Sequence, residues 1–213
     1  MATLDCRGQA VIPFTPQDEP PTFDLQCRIL GRKWLAEHPN YGRPQDYWTA
    51  FEPDLRRAFN EMCGWCAMFI MRGQIDHFIP IATLRKTGQD NLAYEWKNFR
   101  YIDSWINQKK LDAEVLDPFL VQPGWFEMTL PSLQLLPTDR IPEDFREIAA
   151  FTLKRLGLQD HEVMIRYREQ WFNLYRSHQL TLEGLRRIAP LIAEAIERDL
   201  ATGKDWRLNK ETA

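Results

Sequence analysis

The stretch Gln74–Lys110, QIDHFIPIATLRKTGQDNLAYEWKNFRYIDSWINQKK, decides the fold. It opens on an adjacent acid and imidazole, Asp76 and His77, and places Asn98 and then Asn107 downstream. At the end of a strand two neighbouring side chains point to opposite faces unless the chain turns. Pro80 and the polar run after it predict such a turn. Phe99 to Lys110 reads as a helix with Asn98 as its N-cap, which puts Asn107 about two and a half turns along it. A strand, an irregular loop, a second short strand and this helix would gather Asp76, His77 and Asn107 around one ion.

With Lys110 added, these residues resemble the HNH, or ββα-metal, endonuclease family. Its pattern is a DH pair, a middle Asn that steadies the loop, and an Asn or His nine residues later that ligates metal, with a closing Lys; here these are Asp76-His77, Asn98, Asn107 and Lys110. More narrowly, DHF-x-P followed by LAYEW-x-N is similar to the HNH proteins of bacterial anti-phage systems, including the HNH subunit of Septu-type defence. The motif resemblance covers Cys63 to Lys110. It implies that His77 is the general base, that Asp76 and Asn107 hold Mg2+ or another divalent cation, and that Asn98 orders the loop carrying His77. It also implies DNA as substrate, a role against phage or foreign DNA, and an ATPase or sensor subunit as a candidate partner. Arg100, Lys109 and Lys110 are the candidate nucleic-acid contacts.

The chemistry explains why these residue types are wanted. Phosphodiester hydrolysis needs a water stripped of its proton, an electrophile that neutralises charge on the phosphate, and a stabilised leaving oxygen. A histidine does the first at neutral pH, and a divalent ion held by oxygen ligands does the other two.

Plainer readings stand beside each residue. Asn98 serves equally as a helix N-cap, Asn107 as an exposed helix residue, and Lys109 and Lys110 as charges favoured at a helix C-terminus. Arg100 and Tyr101 face either substrate or solvent. Two further hypotheses compete with the enzyme: an HNH-like module that binds nucleic acid or protein without cutting, and a helical interaction protein whose motif match is chance.

One departure from the family concerns zinc. Cys63-Gly64-Trp65-Cys66 sits where many relatives carry the first of two C-x-x-C pairs, but the second pair's positions hold Asp103 and Ile106. Structural zinc sites are closed by four ligands, so no structural zinc is expected, and Trp65, Phe69, Trp105 and Ile106 should fill that space.

The chain's 213 residues, 44% hydrophobic with eight Trp and twelve Phe, are enough to bury a sizeable core. No apolar run is long enough to span a membrane, and the start MATLDCRGQAVIPF has no secretory pattern. Four cysteines are too sparse for a disulfide scaffold, so a reducing cytoplasm is expected. The net charge of −3 is unusual for a nonspecific DNA binder, yet between 72 and 110 seven basic residues face four acidic ones.

The organisation read from the chain is an α+β protein, mainly helical, built around a ββα-metal core. Residues 1–50 form an extended arm and short helix, 51–112 the nuclease core, and 113–213 wrapping strands and C-terminal helices packed on it. Within these, helices are expected over Leu30–Glu37 and Pro53–Met62, the latter with Leu55, Ala58, Phe59 and Met62 on one face. Strand-like runs follow at Trp125–Leu130 and Ser132–Leu136. Pro142 opens a helix ending near Gly157, Asp160 caps one running to about His178, and Thr181 starts a third that Pro190 should kink.

Overall fold

A computed structural model describes residues 14–207 of the chain. It is a mixed fold, about 48% helical with two small antiparallel sheets, compatible with the α+β class. By packing, the described residues divide into two units, 14–66 with 70–119, and 67–69 with 120–207. Among these residues no helix is long and apolar enough to cross a membrane.

The first unit starts in an unexpected way. The Pro-rich arm read from the sequence lies partly in residues 1–13, outside the described residues, but a π-helical turn already begins at Asp24–Arg28 and runs into α1 (Ile29–Glu37). Arg28 ties that turn down, pairing with Asp24, Glu19 and Glu95. Phe23 explains why the chain is drawn in: it is fully buried, with T-shaped contacts to Phe51, Trp96 and Phe99. Burying an aromatic ring of this size, with its ring edges on neighbouring faces, offsets the entropy cost of ordering a short arm.

α2 (Glu52–Ala58) has Pro53 in its first turn and acids near its N-terminus, and it buries Leu55. It ends four residues before the expected Met62, because Asn60 and Glu61 take left-handed backbone angles (φ 52° and 61°) and the Glu61 amide caps the Arg56 carbonyl at 2.9 Å. Phe59 and Met62 remain buried, so the apolar face is retained without helical geometry.

β1 (Gly73–His77) and β2 (Phe99–Asp103) pair antiparallel, with Gly73 opposite Asp103 and His77 opposite Phe99. Between them lie α3 (Ile81–Lys86) and two 3₁₀ turns, Asp90–Tyr94 and Trp96–Asn98. α4 (Ser104–Lys110) follows β2 directly. Asn98 is therefore not the N-cap of a long helix; Asp103 caps α4, its carboxylate accepting from the Trp105 and Ile106 amides at 2.8 and 3.3 Å. Phe99 to Ile102 are all buried, as in a strand covered on both faces.

Gly31 shows how tightly this unit is packed. A Cβ there would lie 2.2 Å from the ring of Tyr94, which is wholly buried and donates its hydroxyl to the Gln45 carbonyl. Gly31→Ala should therefore lose about 1–3 kcal/mol through overpacking, read as a lower midpoint in urea at unchanged slope; an unchanged midpoint would contradict this packing.

In the second unit β3 (Phe126–Met128) pairs antiparallel with β4 (Leu135–Pro137). Four helices follow, α5 (Glu143–Arg155), α6 (Glu162–Arg176), α7 (Leu182–Ile188) and α8 (Pro190–Ala201). His161, not Asp160, caps α6, its ring nitrogen accepting from the Val163 amide. Pro190 does more than kink: Ala189 adopts φ −149° and ψ 64°, the helix stops, and Pro190 occupies the first turn of a new one. Across the break Leu185, Ile192, Ala195 and Ile196 are buried. Arg168, 1% exposed, is a buried fork whose guanidinium donates to the carbonyls of Leu133, Leu158 and Gln159.

Candidate active site

Strand alternation sets the site. Gln74 and Asp76 share one face of β1, and that face meets α4: Asn107 Nδ2 donates to Gln74 Oε1 at 2.9 Å, and Lys110 Nζ donates to Asp76 Oδ1 at 3.2 Å. Asn107 and Lys110, three residues apart on the helix, thus contact side chains two apart on the strand. His77 turns to the other face, into an aromatic box, so β1 does not gather it with Asp76 and Asn107 as the sequence led us to expect. Its ring makes edge contacts with Trp48 and Phe99 at 4.6 and 5.2 Å between centroids, each at 88°.

The imidazole is held in one tautomer. His77 Nε2 lies 2.9 Å from the Ala93 carbonyl, an acceptor only, so Nε2 carries the proton and Nδ1 the lone pair. Nδ1 has no hydrogen bond among the described residues. Burial lowers the His77 pKa to about 4, against the opposing pull of the Ala93 bond, with the Lys110 charge adding to the fall. The ring is neutral at pH 7, which is the form a general base needs.

Asn98 holds the backbone beside this ring. Its Oδ1 accepts from the Ile79 amide at 2.8 Å, and Nδ2 donates to the carbonyls of Ile79 and Leu92 at 3.3 and 3.2 Å. Its own carbonyl accepts from the Phe78 amide at 2.7 Å. The residues just after His77 and the turn that presents the Ala93 carbonyl are therefore joined through one side chain.

Asp76 is 7% exposed, and Lys110 is fully buried against it, with Nζ 3.0 Å from Oδ2 and a further bond to the His77 carbonyl at 3.0 Å. Burial raises the Asp76 pKa to about 6, and the Lys110 charge keeps it from rising further. The carboxylate is ionised at pH 7 with an ammonium as its counter-ion. Lys110 is thereby corrected from a nucleic-acid contact to an internal ion-pair partner, since its stem and charge are inside the fold.

Arg100 is corrected in the same way. It is 3% exposed, bidentate to Asp117 at 2.9 and 2.6 Å, and flanked by the rings of Phe78 and Phe119. Only Lys109 of the three expected contacts lies toward the surface, with its ammonium 5.3 Å from the Trp105 ring centroid.

Would a divalent cation fit? Among the described residues no three His, Cys, Asp or Glu side chains converge, so the donors would be one carboxylate, one amide oxygen, water and substrate. That set suits a magnesium-like ion, which keeps several waters and needs one or two carboxylates. Two atoms answer to it. Asp76 Oδ2 is buried without an aligned hydrogen bond, and Asn107, whose Nδ2 is committed to Gln74, leaves Oδ1 as an open acceptor. Lys110 is the competing cation and has to withdraw from Asp76 first.

Near the start of α4, Cys63 and Cys66 are buried, and Cys63 Sγ accepts from the Asp103 amide at 3.4 Å. Burial pushes the Cys63 thiol up, but hydrogen bonds from Cys66, Asp103 and Trp65 outweigh it and hold the thiol below its usual range. Trp65 and Ile106 are buried as expected, Trp105 is half-buried, and Phe69 belongs to the other unit. The Asp103 carboxylate is spent on capping α4. No protein-family model, curated protein or solved structure matches the chain.

The sequence reading missed Trp48 and the Ala93 carbonyl. Trp48 gives no local signal because it reaches His77 only through tertiary packing. A backbone carbonyl carries no residue identity at all.

Proposed function

We propose that this protein is a divalent-cation-dependent endonuclease of the HNH type that hydrolyses phosphodiester bonds of DNA. The observation that carries the reading is the His77 imidazole, neutral, fixed as the Nε2–H tautomer by Ala93, with a lone pair on Nδ1 that no described residue engages. Such a nitrogen accepts a proton from water without first losing one of its own. Asn98 keeps the ring's supporting turn in place, and Trp48 and Phe99 restrict its rotation. On the other face of β1, Asp76 and Asn107 Oδ1 would hold a magnesium-like ion, and ring and ion would meet one phosphate only past the end of the strand, where His77 is the last residue. Bound there, the ion would neutralise charge on the phosphate and stabilise the leaving oxygen. The role against phage or foreign DNA, and control by an ATPase or sensor subunit, rest on the resemblance of the DHF-x-P and LAYEW-x-N segments.

A second reading, an HNH-like module that binds without cutting, is favoured by one observation: the Lys110 ammonium already neutralises Asp76. Plasmid incubated with purified protein and Mg2+ or Mn2+, with EDTA as the blank, separates the two. Cleavage that needs the cation and falls about a hundredfold or more in His77→Ala is the expected result. Cation-dependent cleavage that His77→Ala leaves unchanged would remove His77 from the chemistry. DNA retained by the protein but never cut would favour the binding module.

A further inference from the structure

Beside the Gln74–Asn107 pair lies a cleft of about 900 Å³ within the first unit. Its lining includes three arginines, Arg43, Arg56 and Arg72, and two acids, Asp46 and Glu52. Of the acids, Asp46 is already engaged, accepting from the Thr49 amide and hydroxyl at 3.0 and 2.7 Å.

Of the arginines, two are not. Arg43 and Arg72 are exposed and make no ion pair or hydrogen bond among the described residues. Arg56 reaches Glu61 only at 3.5 Å, and its Nε is buried without a hydrogen-bond partner. A second cleft of about 540 Å³ shares Arg43 and adds Arg85 and Lys86. The Arg85 guanidinium is braced over the Tyr41 ring at 4.6 Å.

Five cations therefore line two adjoining clefts of a chain whose net charge is −3. Guanidinium forks match phosphate oxygens in pairs. A small anion would need donors converging in an enclosed pocket. Separated, solvent-facing cations instead suit a polyanion long enough to span them.

We propose that these clefts seat the backbone of the nucleic-acid substrate, with Arg43, Arg56 and Arg72 gripping phosphates beside Asn107. The proposal rests on the endonuclease reading and supplies the contacts that Arg100 and Lys110, both buried, do not make.

The test is binding of a labelled oligonucleotide of about 30 nucleotides, duplex and single strand, by fluorescence anisotropy in EDTA across a salt series. Wild type is compared with Arg43→Glu/Arg72→Glu and with Arg166→Glu/Arg187→Glu, two exposed arginines of the other unit that give the same change in net charge. Circular dichroism checks that each variant is folded. The cleft variant should bind about tenfold or more weakly at low salt, with a shallower salt dependence, while the control binds nearly as wild type does. Equal binding by the cleft variant, equal weakening in the control, or no wild-type binding at low salt would overturn the proposal.

Cleavage measured in parallel separates this inference from the one beneath it. If wild type cuts and the cleft variant binds and cuts equally well, the cleft assignment falls and the endonuclease stands. If the cleft variant alone loses binding and no protein cuts, the cleft stands and the endonuclease falls.

Discussion

Asp117→Ala should lower the unfolding free energy by about 3–5 kcal/mol, because it leaves a buried guanidinium with no counter-charge. Arg100 uses every nitrogen inside the fold: Nε and Nη2 bond Asp117, and Nη1 donates to the Lys97 and Phe99 carbonyls at 2.8 Å each. An arginine does not escape by losing its proton. Arg100→Met/Asp117→Leu should recover much of the loss, since replacing both partners removes the uncompensated charge along with the bond. Urea unfolding at neutral pH measures this. A loss below about 1 kcal/mol for Asp117→Ala would place the pair with ordinary surface bridges. Arg100 lies opposite Asp76 in the β1–β2 ladder, so the same variant should also loosen the strand that carries the candidate site.

The second large effect is a pH dependence that the wild type conceals. Asp76 has a folded pKa of about 6 against an ordinary 3.8, so its contribution to stability is present below 3.8 and lost as pH rises through about 6. His77 runs the other way, with a folded pKa of about 4 against an ordinary 6.5. Its contribution is present above 6.5 and lost as pH falls through about 4. Each spans about 3 kcal/mol, and between pH 4 and 6 the two slopes oppose one another. In EDTA, His77→Phe should lose about 3 kcal/mol relative to wild type as pH rises from 4 to 6.5. Asp76→Asn should gain a similar amount relative to wild type as pH rises from about 4 to 6. The Ala93 carbonyl left unpaired in His77→Phe adds a constant penalty and no slope. Variant curves parallel to the wild-type curve would show that neither group is shifted.

Periodicity and local signals carried much of the fold. Pro53 marked α2, Thr181 marked the start of what became two helices parted at Pro190, and the strand-like runs near Trp125 and Leu136 became a hairpin. The failures have physical causes. FRYID and SWINQKK follow one another without a loop, so the strand-to-helix change is announced only by Asp103, whose capping role competes with its place at the end of a strand. Asn98 looked like a cap because the same amide that satisfies a helix start also satisfies a turn. For the site, the order of Asp76, His77 and Asn107 was visible, but their division between two faces of β1 was not. The fate of Arg100 and Lys110 was also hidden, because a charged residue's burial depends on partners such as Asp117 and Asp76 that no local pattern reveals.

The Nε2 proton of His77, held between the ring and the Ala93 carbonyl inside an aromatic box, should exchange with water slowly. It should therefore appear in NMR spectra as a distinct downfield resonance. Its ring is attached to the residue beside Asp76, so a magnesium titration followed at this single line would register events at the carboxylate with no label, no substrate and no turnover.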